Sequence, residues 1–172
     1  NASTTGHAVL YIVDVETGDL IKKIDTMAGD VVTPNGLATP LMIDENGDSV
    51  VDYIYAGDLL GNMWKFDVSN PLTSTWSSAF VSSGTPDPLF TTMSNQPITS
   101  QPQVTAHPDN LGGFMVFFGT GQYLEISDND STGEADQAFY GIWDKNITGS
   151  FTPFNSSDLL AQSITNQYQQ SF

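Results

Sequence analysis

The amino-acid sequence predicts an all-β fold built from short strands. Runs of apolar, aromatic and β-branched residues alternate with clusters of Gly, Pro, Asn, Asp and Ser, which is the pattern of strands separated by turns. Two similar units, each a strand that ends in Asp, begin at Leu10 and Met63, so they lie about 50 residues apart. That distance is close to the roughly 40–50-residue repeat of propeller blades. The sequence therefore predicts a β-propeller, or part of one.

The first predicted hairpin lies near the start of the chain. Residues 8–14 (AVLYIVD) form an apolar β run, Thr17 and Gly18 fall in a turn, and residues 20–24 pair back as a second strand. This unit resembles the repeat of quinoprotein-like propellers, in which a strand ends in Asp and a Thr-Gly turn reverses the chain. Irregular blades of that type are therefore expected.

A second hairpin is predicted at residues 53–58 and 63–68, which are joined by a turn at Gly61 and Asn62. Met42 and Ile43 are expected to end the strand before it. Asp58 is interpreted as an acid of the turn, with a supporting role behind a metal site as the alternative.

The later strands follow a less regular middle part. Residues 69–100 are rich in Ser, Thr and Pro, and proline limits pairing inside a sheet. Stronger strands are predicted at residues 98–105, 114–118 and 137–143. The three tryptophans are expected to pack within or between blades and not to form a carbohydrate platform; they are Trp64, Trp76 and Trp143.

The loop between the strand that ends at Ile43 and the second hairpin has the chemistry of a cation site. A hard cation such as Ca²⁺ takes six to eight oxygen ligands at about 2.3–2.6 Å. Residues 44–52 (DENGDSVVD) place oxygen-bearing side chains at the first, third, fifth and ninth positions. The predicted Ca²⁺ ligands are the side chains of Asp44, Asn46, Asp48 and Asp52 and the backbone carbonyl of Val50.

This loop differs from an EF-hand in two ways. Its closing acid comes at the ninth position and not the twelfth, and it links strands instead of helices. Strand-flanked loops of this type resemble the calcium loops of integrin-type propeller blades. Ser49 occupies the sixth position, where Gly is usual, so a looser or slightly strained loop is expected. The alternative is a solvated acidic turn, which Asp, Asn and Gly also favour.

Composition excludes several functions. The chain has 4 Lys and Arg residues against 20 Asp and Glu, a net charge of −16, so a nucleic-acid partner is not expected. Cys is absent, which removes thiol catalysis, and the two histidines are too few for a multi-histidine zinc site. No run of about 20 apolar residues is present, so direct membrane insertion is not expected. The first residues contain no initiator Met, and the chain is interpreted as a piece of a longer protein.

A second acidic loop and one histidine could each have either a structural or a functional role. Asp128, Asp130, Glu134 and Asp136 form a second acidic loop whose spacing is irregular, so a solvated turn is favoured over a second ion site. His107 lies in a His-Pro-Asp sequence with no nucleophile motif nearby, and it is interpreted as a turn residue.

Five segments, in order, carry a family resemblance. They are NGLATPLMIDENGDSVVDYIYAGDLLGNMWKFDVS, QPITSQPQVTAHP, VFFGTGQYLE, FYGIWD and DLLAQSIT, and they fall within residues 31–166. Together they resemble the C-terminal β-propeller of the PilY1/PilC family, the large non-pilin proteins associated with the tips of type IV pili. The resemblance implies an irregular propeller with a nine-residue, EF-hand-like calcium loop between strands, and the five ligand positions given above match that loop one by one.

The resemblance also implies a function. A non-enzymatic, calcium-binding module of a pilus tip or biogenesis protein is expected, in which calcium controls pilus extension and retraction or adhesion. Expected partners are minor pilins or a surface ligand, and the expected location is the bacterial cell surface after export through the periplasm. At about 40–50 residues per blade, residues 1–172 would form one propeller domain or a fragment of three to four blades.

Two alternatives stay open. One is an integrin-like calcium-binding adhesion propeller outside the pilus system. The other is a quinoprotein dehydrogenase fragment, which is disfavoured because the chain has neither Arg nor Cys with which to clamp an anionic quinone.

Overall fold

The computed structural model describes residues 4–130, 132, 135–146 and 154–162. Within these ranges the chain forms strands and short 3₁₀ turns but no α-helix, as the all-β prediction requires. The strands are β1 (Val9–Val13), β2 (Leu20–Asp25), β3 (Leu41–Ile43), β4 (Tyr53–Gly57), β5 (Asn62–Asp67), β6 (Ser77–Ser78), β7 (Phe80–Ser82), β8 (Thr85–Asp87), β9 (Phe90–Thr91), β10 (Gln103–Ala106), β11 (Phe114–Gly119), β12 (Phe139–Asp144) and β13 (Phe154–Asn155).

The strands form one central sheet and three smaller ones. The central sheet has the order β13-β9-β5-β4-β3, and β6 also pairs with β5. The hairpin β1-β2, the three-stranded sheet β10-β11-β12 and the hairpin β7-β8 complete the set. Neighbouring strands are antiparallel except for β13 beside β9.

The central sheet is covered on both faces, so the residues of β4 and β5 are almost continuously buried, and β4 is almost continuously apolar. Because side chains alternate along a strand, Ile54 and Ala56 join one apolar cluster while Tyr55 joins another. The first cluster includes Leu10 and Ile24 of the β1-β2 hairpin. The second contains the buried face of the β10-β12 sheet: Val116, Phe118, Tyr140 and Ile142. The arrangement is a stack of three layers, as in neighbouring propeller blades.

The predicted hairpin between β4 and β5 is confirmed, with Ala56 opposite Trp64 and Gly57 opposite Met63. Its turn contains Gly61 at a φ of +82°, a left-handed conformation that favours glycine. A Cβ at this position would lie 2.7 Å from the Gln96 carbonyl oxygen and would also collide with the Thr92 side chain. The turn therefore requires glycine for both its backbone angle and its packing.

One predicted strand is wrong in its extent. Residues 98–105 were expected to form a single strand, but β10 begins only at Gln103. The residue before it, Pro102, has no N–H to donate to a ladder. The N–H of the fully buried Ile98 donates to the Asp58 carbonyl oxygen at 2.9 Å, so this part of the chain is attached to the β4-β5 turn instead.

The less regular middle part, residues 69–100, holds only the short strands β6 to β9 and one 3₁₀ turn. In the described part of the chain, no helix is long and apolar enough to span a bilayer.

Candidate metal centre

The loop at residues 44–52 connects β3 to β4, so the predicted placement between strands is confirmed. Its two ends are fixed by the antiparallel pair Ile43 and Tyr53. The Asp52 N–H donates to the Ile43 carbonyl oxygen at 2.8 Å, and the Asp52 carbonyl oxygen accepts from the Val68 N–H at 2.9 Å. Asp52 is thereby attached to the end of β3 and to the residue that follows β5.

The side chains of the loop accept hydrogen bonds from its own backbone. The two carboxylate oxygens of Asp44 accept from Gly47 N–H at 2.7 Å and Ser49 N–H at 2.8 Å. Asn46 Oδ1 accepts from Asp48 N–H, and Asp48 Oδ1 accepts from Val50 N–H, each at 2.8 Å. These bonds fold the predicted ligand positions into a series of tight turns.

Asp52 differs from the other predicted ligands because it is only 6 % exposed. Its Oδ2 accepts from Glu45 N–H at 2.8 Å and from Asn46 N–H at 3.4 Å. A buried carboxylate needs such donors or a cation to offset its loss of hydration. The last predicted ligand therefore ties the beginning of the loop to its end.

The expected strain is present at Ser49, whose φ is +70°. The left-handed region costs a residue other than Gly roughly 1–2 kcal/mol. Gly47, two positions earlier, also has a positive φ of +78°, which glycine adopts without that cost.

The loop carries four acidic side chains and no basic one. Lys22 donates to the Ser74 carbonyl oxygen, Lys23 lies beside Asp25, Lys65 pairs with Asp144, and Lys145 lies over the Trp143 ring. These are all four lysines of the chain, and within the described residues none is in salt-bridge distance of a loop carboxylate. The negative charge of the loop has no protein counter-charge in this part of the structure.

The donor set of the loop fits calcium in its chemistry. Three carboxylates, one amide oxygen and one carbonyl are the oxygen ligands that Ca²⁺ prefers, and an oxygen that accepts one hydrogen bond retains a second lone pair. In the arrangement described here, however, no group of three or more His, Cys, Asp or Glu side chains among the described residues is placed so that it could hold a metal ion. The aspartates of the loop would have to converge for an ion to bind.

The structure adds a network that the sequence did not reveal. Glu45, the second residue of the loop, accepts from Asn146 Nδ2 at 2.8 Å. Asn146 Oδ1 accepts from Lys65 Nζ at 2.6 Å, and Asn146 N–H donates to Asp144 Oδ1 at 2.9 Å. Lys65 Nζ also donates to Asp144 Oδ2 at 2.7 Å. The loop is thus connected to the central strand β5 and to the end of β12.

Two tyrosines enclose the lysine of this network. Lys65 Nζ lies 4.1 Å from the centre of the Tyr53 ring and 5.7 Å from that of Tyr55. The Tyr55 hydroxyl donates to Asp144 Oδ2 at 2.6 Å. The pKa of Tyr55 is raised mainly by its burial and, to a smaller extent, by the negative charge of the neighbouring Asp144 carboxylate. Burial also raises the pKa of Tyr53, which hydrogen bonding to Asn146 partly counteracts. Both phenols therefore remain neutral donors at physiological pH.

Asp58 has a larger role than that of a simple turn acid. Its side chain lies in the β4-β5 turn as predicted, but the residue is completely buried. It accepts from Asn35 Nδ2, Leu60 N–H, Asn62 N–H, Asn62 Nδ2 and Trp64 Nε1 at 2.8–2.9 Å. This carboxylate organises the turn and the segment that precedes β3. It is not among the residues of the loop at 44–52.

The second acidic loop is a turn in its described part. Asp128 accepts from Leu124 N–H at 2.7 Å and Glu125 N–H at 3.0 Å, and these bonds lower its pKa. Asp130 accepts from Thr132 N–H at 3.0 Å. Glu134 lies outside the described residues. These bonds are the ones expected of a solvated turn.

The remaining residues singled out from the sequence have structural positions. His107 belongs to a turn, where its carbonyl oxygen accepts from Asn110 N–H at 3.0 Å. Trp64 is 1 % exposed in the core, and Trp76 packs against the same cluster. The Trp143 ring lies 4.6 Å from the His107 ring, and its Nε1 donates to the Gly112 carbonyl oxygen at 3.1 Å.

Comparison with known families and structures identifies close relatives of this arrangement. A family model described as the PilY1 beta-propeller domain matches residues 1–172. The crystal structure of the Pseudomonas aeruginosa PilY1 C-terminal domain superimposes with a TM-score of 0.73 at 35 % sequence identity, covering 87 % of this chain and 34 % of that one.

Similar sequences carry the same description. "Type IV pilus biogenesis factor PilY1" of Pseudomonas aeruginosa strain PAO1 is 37 % identical over 86 % of the chain, and that of strain UCBPP-PA14 is 34 % identical over 99 %. A "Type IV pilus biogenesis factor PilY1 homolog" of Xylella fastidiosa is 39 % identical over 83 % of the chain. The chain spans 14 %, 17 % and 10 % of the length of these three relatives.

Proposed function

The chain belongs to the PilY1 β-propeller family, and on that premise we propose that it is a non-enzymatic, calcium-binding module of a type IV pilus biogenesis protein. At the spacing of propeller blades, residues 1–172 supply three to four blades. Its place is the bacterial cell surface after export through the periplasm, where its partners are minor pilins or a surface ligand. The support for the pilus system comes from the names of its relatives.

The observation that carries the calcium proposal is the uncompensated charge of the loop at residues 44–52. Four acids lie within nine residues, one of them is buried, and the four lysines are engaged elsewhere. A divalent cation offsets the repulsion among such carboxylates and replaces the hydration that the buried one has lost.

The proposed ligands have distinct roles. Asp44, Asn46 and Asp48 supply one side-chain oxygen each, Val50 supplies its carbonyl, and Asp52 closes the site with its carboxylate. A change in the position of Asp52 on ion binding would act directly on the strands, because its backbone is hydrogen-bonded to Ile43 and Val68. The calcium ion would contribute only its positive charge, and it binds where several oxygen atoms point toward one position.

Calcium binding controls pilus extension and retraction, or adhesion, if it changes how the loop connects its two strands. A ligand shifts such an equilibrium only by its different affinity for the two states. Ordering of the loop fixes the angle at which the β4-β5 hairpin leaves β3. That angle is the physical quantity through which the ion acts on the rest of the propeller.

Two substitutions at one position test this function in cells. Asp52→Ala removes the closing ligand, whereas Asp52→Lys places an ammonium group where the ion's charge would be and so partly imitates occupancy. Surface piliation and twitching motility are measured for both, together with Asp109→Ala and Asp109→Lys, which change the same charges in the turn between β10 and β11, outside the loop at residues 44–52.

Opposite phenotypes of the two Asp52 variants, with normal behaviour of the Asp109 pair, support control by calcium. Wild-type behaviour of both Asp52 variants contradicts it. The same loss in both, with reduced protein at the cell surface, assigns the loop a purely structural role.

A further inference from the structure

We propose that Glu45 and Asn146 are positioning residues of the calcium loop, and that they couple its ion occupancy to the neighbouring sheet β10-β12. This inference rests on the proposed calcium function. Neither residue is among the predicted ligands. Glu45 is adjacent to the ligand Asp44, and Asn146 follows β12 at a distance of 101 residues along the chain.

The first step of the coupling lies inside the loop. Glu45 N–H donates to Asp52 Oδ2 at 2.8 Å, so the backbone of Glu45 holds the carboxylate that would close the calcium site. If Asp52 binds the ion through both oxygens, its Oδ2 must share or release that bond. Any such change alters the hydrogen bond of the Glu45 backbone N–H and so can shift the position of Glu45.

The second step leaves the loop through the side chain of Glu45. Its Oε1 accepts from Asn146 Nδ2 at 2.8 Å, while Asn146 Oδ1 accepts from Lys65 Nζ at 2.6 Å. One amide group thus joins an acidic loop to a buried ammonium group. Asn suits this position because its φ is +51°, a left-handed conformation that Asn adopts more readily than most residues.

The third step ends in the packed core. Lys65 and Asp144 form an ion pair at 2.7 Å with both side chains only 2 % exposed. Lys65 belongs to the central sheet and Asp144 ends β12, which pairs with β11 over its full length. The Glu45 side chain is therefore two hydrogen bonds away, through Asn146, from the ion pair that joins the two layers.

Coupling between two sites is reciprocal: if ion binding changes the contact at Asn146, then removing that contact changes ion affinity by the same factor. Asn146→Gly is the suitable variant, because Gly tolerates the positive φ and removes both side-chain bonds without changing net charge. Glu45→Gln is its conservative counterpart, since the side-chain oxygen that accepts from Asn146 is kept.

The experiment measures calcium affinity by calorimetry and amide hydrogen exchange of β12 with and without calcium. We expect Asn146→Gly to weaken calcium binding by roughly fivefold or more, the lower end of typical coupling. Calcium should slow exchange in β12 of the wild-type protein and of Glu45→Gln, but not of Asn146→Gly. Combining Glu45→Ala with Asn146→Gly should weaken binding no further than Glu45→Ala alone.

Unchanged calcium affinity in Asn146→Gly, with wild-type binding intact, overturns the coupling and leaves the calcium function standing. Calcium-independent exchange in β12 of the wild-type protein also overturns it. A wild-type protein that binds no calcium at all removes the proposed function itself, and the coupling with it. A loss of stability of Asn146→Gly that is equal with and without calcium assigns the network a structural role only.

Discussion

Lys65 Nζ lies 2.7 Å from Asp144 Oδ2, and this ion pair joins the central strand β5 to the end of β12 in the neighbouring sheet. Both side chains are almost completely buried, in a chain that has few positive charges to place anywhere. Burying a lysine is costly unless its charge is paired and its donors are used. Here a carboxylate, an amide oxygen and two aromatic faces satisfy it.

Breaking this ion pair should destabilise the fold strongly. Lys65→Met removes the ammonium group and leaves the Asp144 carboxylate buried without its counter-charge, which typically costs about 3–5 kcal/mol. Urea denaturation should show the loss, and the double variant Lys65→Met with Asp144→Asn should recover part of it. Lys23→Met is the matched control, because that lysine is half exposed and lies 4.0 Å from its carboxylate.

A loss from Lys23→Met as large as that from Lys65→Met would contradict this account of the buried pair.

The β4-β5 turn offers a test of packing with a control that has the same backbone conformation. Gly61→Ala and Gly18→Ala both place alanine at a φ near +80°, and each pays roughly 1–2 kcal/mol for it. Only at Gly61 does the new Cβ also meet the Gln96 carbonyl oxygen and the Thr92 side chain, whereas at Gly18 nothing lies within 4 Å. Thermal melting should therefore show a clearly larger loss for Gly61→Ala.

Equal losses of stability at the two glycines would mean that the turn at Gly61 can move to make room.

Local features of the sequence predicted more of this structure than distant ones. The β3-loop-β4-β5 unit was predicted because its strands, its turn and its acidic loop are all encoded within about 30 consecutive residues. The same holds for the hairpin β1-β2. The strand beginning at Gln103 was misplaced because the N–H of Ile98 is used by Asp58, a partner 40 residues earlier in the chain.

The network behind the loop could not be predicted for the same reason. Lys65 contacts Asp144 and Asn146, which lie 79 and 81 residues later in the chain, and no local sequence pattern predicts such a contact. A lysine between the apolar residues Trp64 and Phe66 in the middle of a strand was the one available signal. Asp58 was predicted as a turn acid from its position, but only the fold shows that its carboxylate is buried among five donors.

Calcium removal should lower stability if the loop connects its strands as proposed. An ion that binds only the folded protein stabilises it by RT ln(1+[L]/Kd), about 2.7 kcal/mol at a hundredfold excess over Kd. For a chain of this length that corresponds to roughly 5–10 °C in Tm. Differential scanning calorimetry with calcium and with EDTA, at constant ionic strength, measures the shift.

Asp52→Ala should melt at the same temperature with calcium and with EDTA. If calcium binds but leaves the Tm of the wild-type protein unchanged, the loop is a local appendage and does not clamp β3 to β4.

The most direct test of the calcium site is isothermal titration calorimetry of the purified protein with Ca²⁺. We expect one saturable binding event with a Kd on the order of 10⁻⁶–10⁻³ M, the range of sensor and extracellular calcium sites. Asp48→Ala and Asp52→Ala should each abolish it, whereas Asp109→Ala, which removes the same charge outside the loop, should not. Binding that survives both loop substitutions, or a wild-type protein that binds no calcium, would contradict the assignment of the site to residues 44–52.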